Sequence, residues 1–290
     1  MKMLNHLDFS VLRSSDRSKP AGHLFALIDH SAMPGLVSKL NKVSTEWLSL
    51  FAGSRDEGAL EVAPVLFSIE GRDNLFQRKE LLKWICSQGT YSSSIIFIES
   101  PLPLSELGRR LALRLDATLQ GEIDIFLRFF DTRIFEKLMA VLSVEQINAF
   151  LNVAHCWWFV DRKGMLQSVE ADFSDFEVPT IPLDLTQLQE DAMLDHSIPD
   201  QIIGMLTESV PRELENLPID SRHDFVLRHI AAANDAGIKE THELVLYCAL
   251  ALLHGELFSQ EKNWTILLND VRSKKTSLTE IVQGLEINSN

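Results

Sequence analysis

The sequence is poor in the residues that most directly announce chemistry. Its three cysteines, Cys86, Cys156 and Cys248, lie far apart, each in an apolar segment. That spacing argues against a disulfide or zinc framework and fits buried thiols in a reducing compartment. Positive charge is short as well: 27 Lys and Arg stand against 41 Asp and Glu, for a formal net charge of −14. Nucleic-acid binders neutralise phosphates with clustered cations. An acidic chain without a basic stripe therefore points away from nucleic acid, and from an anionic membrane surface, as a partner. No apolar run approaches the roughly 18 to 20 residues of a membrane span. Residues 1–20 alternate polar, charged and apolar side chains with no signal-peptide core, so the expected location is the cytoplasm.

Glycine-bearing motifs are missing too. A phosphate-cradling loop needs glycines that let backbone amides approach the ligand, and neither G-x-x-x-x-G-K-[ST] nor G-x-G-x-x-G occurs. There is no G-x-S-x-G elbow and no H-E-x-x-H pair. No cofactor, metal site or catalytic residue is therefore expected. Three local arrangements come nearest to an active site, and each has a plainer reading. Ser221, His223 and Asp224 are too close in sequence to converge as a triad, and Ser221 reads as a helix cap. His155 and Cys156 would point to opposite sides of a strand, and the adjoining Trp157, Trp158 and Phe159 mark a structural thiol. Asp191 and Asp195, with His196 beside them, could share a helix face as a metal pair; the alternative is a solvated acidic turn ahead of a Ser197 cap.

What is present is apolar patterning. With 46% apolar and 23% charged residues, 290 positions suffice for one large core or two modest ones. The first half alternates strand with helix. Residues 23–29 (HLFALID) form an apolar run closed by Pro34 and Gly35, after which Leu36, Val37 and Leu40 recur at helical spacing. Residues 62–70 read as a strand in which Pro64 demands an edge or a strand start. A helix is expected over 75–86, a β-branched strand over 94–99, and a helix with a Leu104, Leu107, Leu111 and Leu115 stripe after Pro103. A strand over 122–130 precedes two helices, the second opened by a capping box at Ser143 and Gln146. Residues 157–160 and 165–169 complete the pattern as a hairpin.

Beyond residues 171–182, which carry two prolines and no helical period, everything reads as helix. Ser197, Pro199 and Asp200 suit a helix start; Gly237 and Gly255 suit helix ends; Ser277 and Glu280 form a second capping box. The expected fold is an α/β N-terminal lobe, a mixed sheet with flanking helices, followed by an all-α helical lobe. The expected organisation is a flexible N-terminus over 1–20, an α/β domain over 21–172, a linker over 173–183 and an acidic helical domain over 184–290. The charge is uneven, about −4 before residue 184 and about −10 from there on, so the helical lobe suits either a steering contact with a basic protein or simple solvation. The aromatics Trp47, Phe51, Phe126, Phe129, Phe130, Trp157 and Trp158 sit in elements that need an apolar face, so core packing is their first reading and partner anchoring their second.

Four segments carry a further signal: 23–40 (HLFALIDHSAMPGLVSKL), 46–70 (EWLSLFAGSRDEGALEVAPVLFSIE), 95–107 and 126–150 (FLRFFDTRIFEKLMAVLSVEQINAF). In this order, over residues 24–164, they resemble the adaptors of type VI secretion systems, called Tap or TEC chaperones. At Asp131, Thr132 and Arg133 the chain departs from the family's Asp-Pro-Arg; Thr132 fills the first helical position without the proline. The resemblance implies a non-catalytic adaptor that holds a secreted effector protein in the cytoplasm and loads it onto a VgrG spike protein. It singles out Asp29, Pro34, Gly35, Trp47, Phe51, Arg128, Asp131 and Arg133 as motif positions, structural or in contact with a partner. From the residues themselves, Arg128, Asp131 and Arg133 read as a charge-assisted network in which Asp131 caps a helix. Two rivals stay open: an immunity protein whose acidic lobe plugs a toxin, and an enzyme whose dispersed site leaves no local motif.

Overall fold

The computed structural model describes residue 12 and residues 22–53, 56–70, 75–176 and 182–287. The chain divides into two compact units, Met1–Met193 and Leu194–Asn290. In the first unit the elements run β1 (His23–Asp29), α1 (Leu36–Lys42), β2 (Trp47–Ser49), β3 (Pro64–Ser68), α2 (Leu75–Gly89), β4 (Ile95–Ser100), α3 (Leu104–Ala112), β5 (Asp116–Leu119), β6 (Ile123–Phe126), α4 (Thr132–Val141), α5 (Val144–Leu151), β7 (Cys156–Val160), β8 (Leu166–Glu170) and β9 (Leu183–Asp184).

Six strands form one sheet in the order β2-β3-β1-β4-β7-β8, and every pairing in it is antiparallel. The mixed pairing expected from sequence occurs in a second, three-stranded sheet, where β5 is antiparallel to β6 and parallel to β9. The unbroken apolar runs of β1, β4 and β7 follow from burial on both faces. Phe25, Leu27, Ile96, Ile98, Trp157 and Phe159 pack against Leu107 and Leu111 of α3, Phe135 and Leu138 of α4 and Phe150 of α5. Alternate residues Leu24, Ala26, Ile28, Phe97 and Trp158 pack on the other face against Leu36 and Leu40 of α1 and Leu82 and Ile85 of α2. The strand period of two thus assigns neighbouring residues to two cores.

Local chemistry sets the boundaries. Pro64 starts β3, where its missing amide costs no ladder bond. Gly89 closes α2 against β4, and a Cβ there would collide with the Ile95 side chain. Ser143 and Gln146 form the expected capping box of α5. At the other end of α5, the buried Arg114 guanidinium donates to the carbonyls of Phe150 (2.7 Å) and Ala149 (3.3 Å) and to Asn152 Oδ1 (2.9 Å). Burial pushes Arg114 down to about 9, and the carbonyl end of α5 is a favourable place for its charge.

The expected strand over 122–130 is shorter, because β6 stops at Phe126. Three short strands, β2, β5 and β9, were not foreseen; β5 begins one residue past Leu115, where the leucine stripe suggested helix. The division at 193 lies ten residues beyond the boundary read at 183, since β9 pairs with β5 and Gln189 Nε2 donates to Val141 O at 3.1 Å, holding this stretch to the first unit. The expected flexible segment 1–20 lies outside the described residues except for Leu12, which is buried in the core on the α1 and α2 side. Residues 177–181 of the expected linker also lie outside them.

The division falls within α6 (Gln187–Ser209), and α7 (Pro211–Glu215), α8 (Ile219–Asp235), α9 (Thr241–His254), α10 (Lys262–Arg272) and α11 (Leu278–Ile287) complete the second unit. Its core gathers Phe225, Tyr247, Leu250, Phe258, Trp264 and Leu278. Gly237 and Gly255 follow α8 and α9 with positive φ, as their sequence positions suggest. Ser277 and Glu280 exchange capping bonds, and the Glu243 carboxylate accepts from the amides of Leu278 and Thr279 at the same helix start. Two caps read from sequence are corrected. Ser197 opens no helix: it lies inside α6 and donates to Leu194 O at 2.7 Å, with Pro199 also internal. α8 starts at Ile219 after Pro218, so Ser221 lies within it and donates to Asp220 Oδ1 at 3.0 Å.

Candidate functional site

β1 runs deep through the core and delivers one carboxylate, Asp29, at its end. Asp29 is 4% exposed. Its Oδ1 accepts from the Ser31 amide (3.0 Å) and hydroxyl (2.6 Å), which caps the short 3-10 turn His30–Ala32. Its Oδ2 accepts from Arg128 Nη2 at 2.9 Å. Arg128 comes from the coil between β6 and α4, so this ion pair joins the first and the last of the four motif segments. The Arg128 guanidinium also lies over the Phe130 ring, 5.5 Å from its centroid, and its side chain is half exposed. A flat cation held against one carboxylate and one aromatic face keeps its remaining N–H groups turned to solvent or a ligand.

The aromatic residues around Arg128 continue the arrangement. Phe126 meets Phe51 edge-on at 5.5 Å and Phe130 at 6.3 Å. The 3-10 segment Glu57–Val62 supplies Ala59 and Val62, and together with Ser31, Asp56 and Arg128 these rings line a cleft of about 450 Å³. Among the described residues its lining is mostly apolar, with one cation, Arg128, one carboxylate, Asp56, and the Ser31 hydroxyl, so the Arg128 side of the cleft suits an apolar group that carries a carboxylate.

Of the eight motif residues, Phe51 and Arg128 line this cleft, and Asp29 lies buried behind Arg128 as its ion-pair partner. Asp131 is the N-cap of α4: its Oδ1 accepts from the Arg133 amide at 3.0 Å and its Oδ2 from Arg133 Nη2 at 2.6 Å. The charge network read from sequence is thus two separate pairs, Asp29 with Arg128 and Asp131 with Arg133. Trp47 belongs to β2 and donates its indole N–H to Asn41 Oδ1 at 2.8 Å, packing on the α1 side of the sheet. Pro34 and Gly35 form the exposed turn into α1, where Gly35 has φ +87°, a conformation that favours glycine. Asp56, Ala59 and Val62 were not read as site residues. Their signals in the sequence are a place in the 46–70 motif segment and, for Val62, in the strand expected over 62–70.

The other candidates have structural surroundings. Cys86 and Cys248 are buried and burial pushes both thiols up to about 12, which keeps them protonated at neutral pH. Cys156 is fully buried in β7, and His155 packs edge-on against Phe173 at 5.6 Å. Asp191 accepts from Gln187 Nε2 at 2.9 Å on α6. Among the described residues no group of three or more His, Cys, Asp or Glu is placed to hold a metal ion. Nor, among them, is any helix long and apolar enough to cross a membrane.

No curated protein and no solved structure matches the chain. Residues 24–149, which run from β1 into α5 and include every residue named in the cleft, match the family described as "Domain of unknown function (DUF4123)".

Proposed function

We propose that this chain is a non-catalytic adaptor that binds a cognate secreted effector in the bacterial cytoplasm and loads it onto a VgrG-type spike, with the Arg128 cleft as a docking point. The supporting observation is the Asp29–Arg128 ion pair, which ties the first and last motif segments together at an aromatic cleft. Arg128 pairs with Asp29 yet stays half exposed at the rim of the cleft, where its free edge can meet an acidic or carbonyl group of a partner. The four-segment resemblance to type VI adaptors supplies the identity of the partners, and the family match over 24–149 supports treating this region as one module.

Affinity capture of the tagged full chain from its native cells tests the reading, followed by identification of the bound chains and comparison with Arg128→Glu. Co-capture of one effector and a spike protein, with the effector reduced at least tenfold by the substitution, is the expected result. Capture of a toxin through its catalytic domain, without a spike protein, would instead make the chain an immunity protein. A turnover activity abolished by one point substitution would make it an enzyme.

A further inference from the structure

The opposite face of the six-stranded sheet carries a second surface whose charge contradicts that of the chain. α1 and α2 hold Lys39, Lys42, Arg78, Lys79 and Lys83 against one carboxylate, Glu80, in a protein of net charge −14. Glu80 is already engaged by Lys83 at 2.7 Å, and Arg78 donates to the carbonyls of Ser68 and Glu70. Lys39 stands with its ammonium 4.5 Å from the centre of the Trp84 ring, and Lys42 is exposed beside it. Between the two helices runs a groove of about 330 Å³ whose lining includes Lys39, Lys42, Phe76, Leu81 and Trp84 together with the Lys83-paired Glu80.

Core packing does not account for the apolar residues at its mouth. α2 meets the sheet through Leu81, Leu82, Ile85 and Cys86, whereas Phe76 is 77% exposed and Leu75 67%. A large aromatic left in water beside a half-buried Trp84, with lysines along the opposite rim, is the composition of an interface with an apolar centre and a charged border.

We infer that the α1–α2 groove binds an acidic amphipathic helix of a partner protein. The partner's apolar ridge would lie between Phe76 and Trp84, with its Asp or Glu side chains against Lys39 and Lys42. A helix fits because side chains projecting at i, i+3 and i+4 form a ridge that enters the furrow between two helices, and because lysines flanking an apolar furrow match a helix with acids flanking an apolar stripe. This surface lies across the sheet from the Arg128 cleft, and the inference does not depend on the function proposed for that cleft.

The test uses the full chain and labelled synthetic peptides of about 18 residues, five helical turns, with Leu at i, i+3 and i+4 and Glu elsewhere. Controls replace every Glu by Lys, or every Leu by Ser. Saturable binding of the Glu–Leu peptide alone is expected, with protection from hydrogen exchange over α1 and α2. The double substitution Lys39→Glu with Lys42→Glu, and separately Phe76→Ser, should each weaken it at least tenfold. Phe76 and Lys42 are exposed and Lys39 is half-buried, so unchanged circular dichroism should show that these variants remain folded. Equal binding of the Lys–Leu peptide, protection confined to other elements, absence of binding, or self-association through α1 and α2 that excludes the peptide would each overturn the inference.

Discussion

The two units hold themselves together over different distances along the chain. In the first, side chains bridge far-separated segments: Asp29 with Arg128 across 99 residues, Ser100 with the Val153 carbonyl across 53, Arg110 with Asp175 across 65. In the second the reach is shorter, 37 residues from Arg272 to the Asp235 carbonyl, and many side-chain bonds close within one helical turn, as with Ser197 to Leu194, Thr207 to Ile203 and Ser209 to Met205. The first unit carries the family match and the cleft; the net charge of −14 divides evenly, −7 over residues 1–193 and −7 over the shorter stretch 194–290. A recognition surface assembled from remote segments needs every strand in register, whereas an acidic helical exterior needs only local helix formation. The sharper geometry therefore belongs to the first unit and the denser acidic charge to the second.

The largest expected effect breaks the comparison at the core. Trp157 is fully buried, stacks on Phe135 at 5.6 Å and donates to Leu151 O at 3.1 Å. Trp157→Ala should cost about 3 to 5 kcal/mol and melt the first unit while leaving helical signal from the second. Tyr247→Ala should do the reverse. Calorimetry with far-ultraviolet circular dichroism resolves this, and a single transition lowered equally by both substitutions would erase the distinction between the units.

Next in size is Asp131→Ala, which removes the α4 cap and the Arg133 pair at once. A loss of about 1 to 2 kcal/mol is expected, and partner binding should fall only in proportion to the folded fraction. Wild-type thermal stability with partner binding lost would move Asp131 from scaffold to contact.

How much of this was legible depended on range. Ser143 with Gln146 and Ser277 with Glu280 could be read as capping boxes because the chemistry spans four residues. β1, β4 and the β7–β8 hairpin were legible as apolar runs; their antiparallel order was not, because a strand buried on both faces has the same composition in either orientation. β2, β5 and β9 are two to four residues long, too short to show a period. Ser197 and Pro199 look like a helix start because a proline cannot donate; within α6 the helix tolerates the missing amide, and Ser197 bonds back to Leu194 instead. At the cleft, Asp29, Phe51 and Arg128 were visible as motif letters. Their meeting was not, since nothing local in either segment encodes a partner 99 residues away.

The third prediction turns to the field of the second unit. Glu208 and Glu215 are exposed, whereas Glu213 is half-buried. Glu208→Lys with Glu215→Lys should slow association with a basic partner several-fold and leave dissociation nearly unchanged, and added salt should do the same. Stopped-flow measurement decides it, and insensitivity of association to both would reduce the acidic exterior to a solvation layer.

Acid should produce the smallest effect and act on both units. Hydrogen bonds from Arg109 and Arg110 hold Glu106 at about 2, below its ordinary 4.5, and Thr276 and the Ser277 amide lower Glu280. In each case the unfolded chain binds the proton more readily, so the stabilisation is present above about pH 4.5 and fades as pH falls through the lowered folded value. Glu106→Gln and Glu280→Gln should each flatten the acid limb of the stability curve of their own unit. An acid limb unchanged by both would assign acid sensitivity to other carboxylates.

The Asp29–Arg128 pair also sets a time. A ribosome extends the chain from its amino end, and Asp29, Ser31 and Phe51 are made long before Phe126, Arg128 and Phe130. Until that later stretch has left the exit tunnel and folded back onto the end of β1, the cleft lacks a wall and the Arg128 guanidinium. A ligand that requires this cleft thus passes over nascent and truncated chains, and the span of 99 residues makes its occupancy a report that the module has been completed.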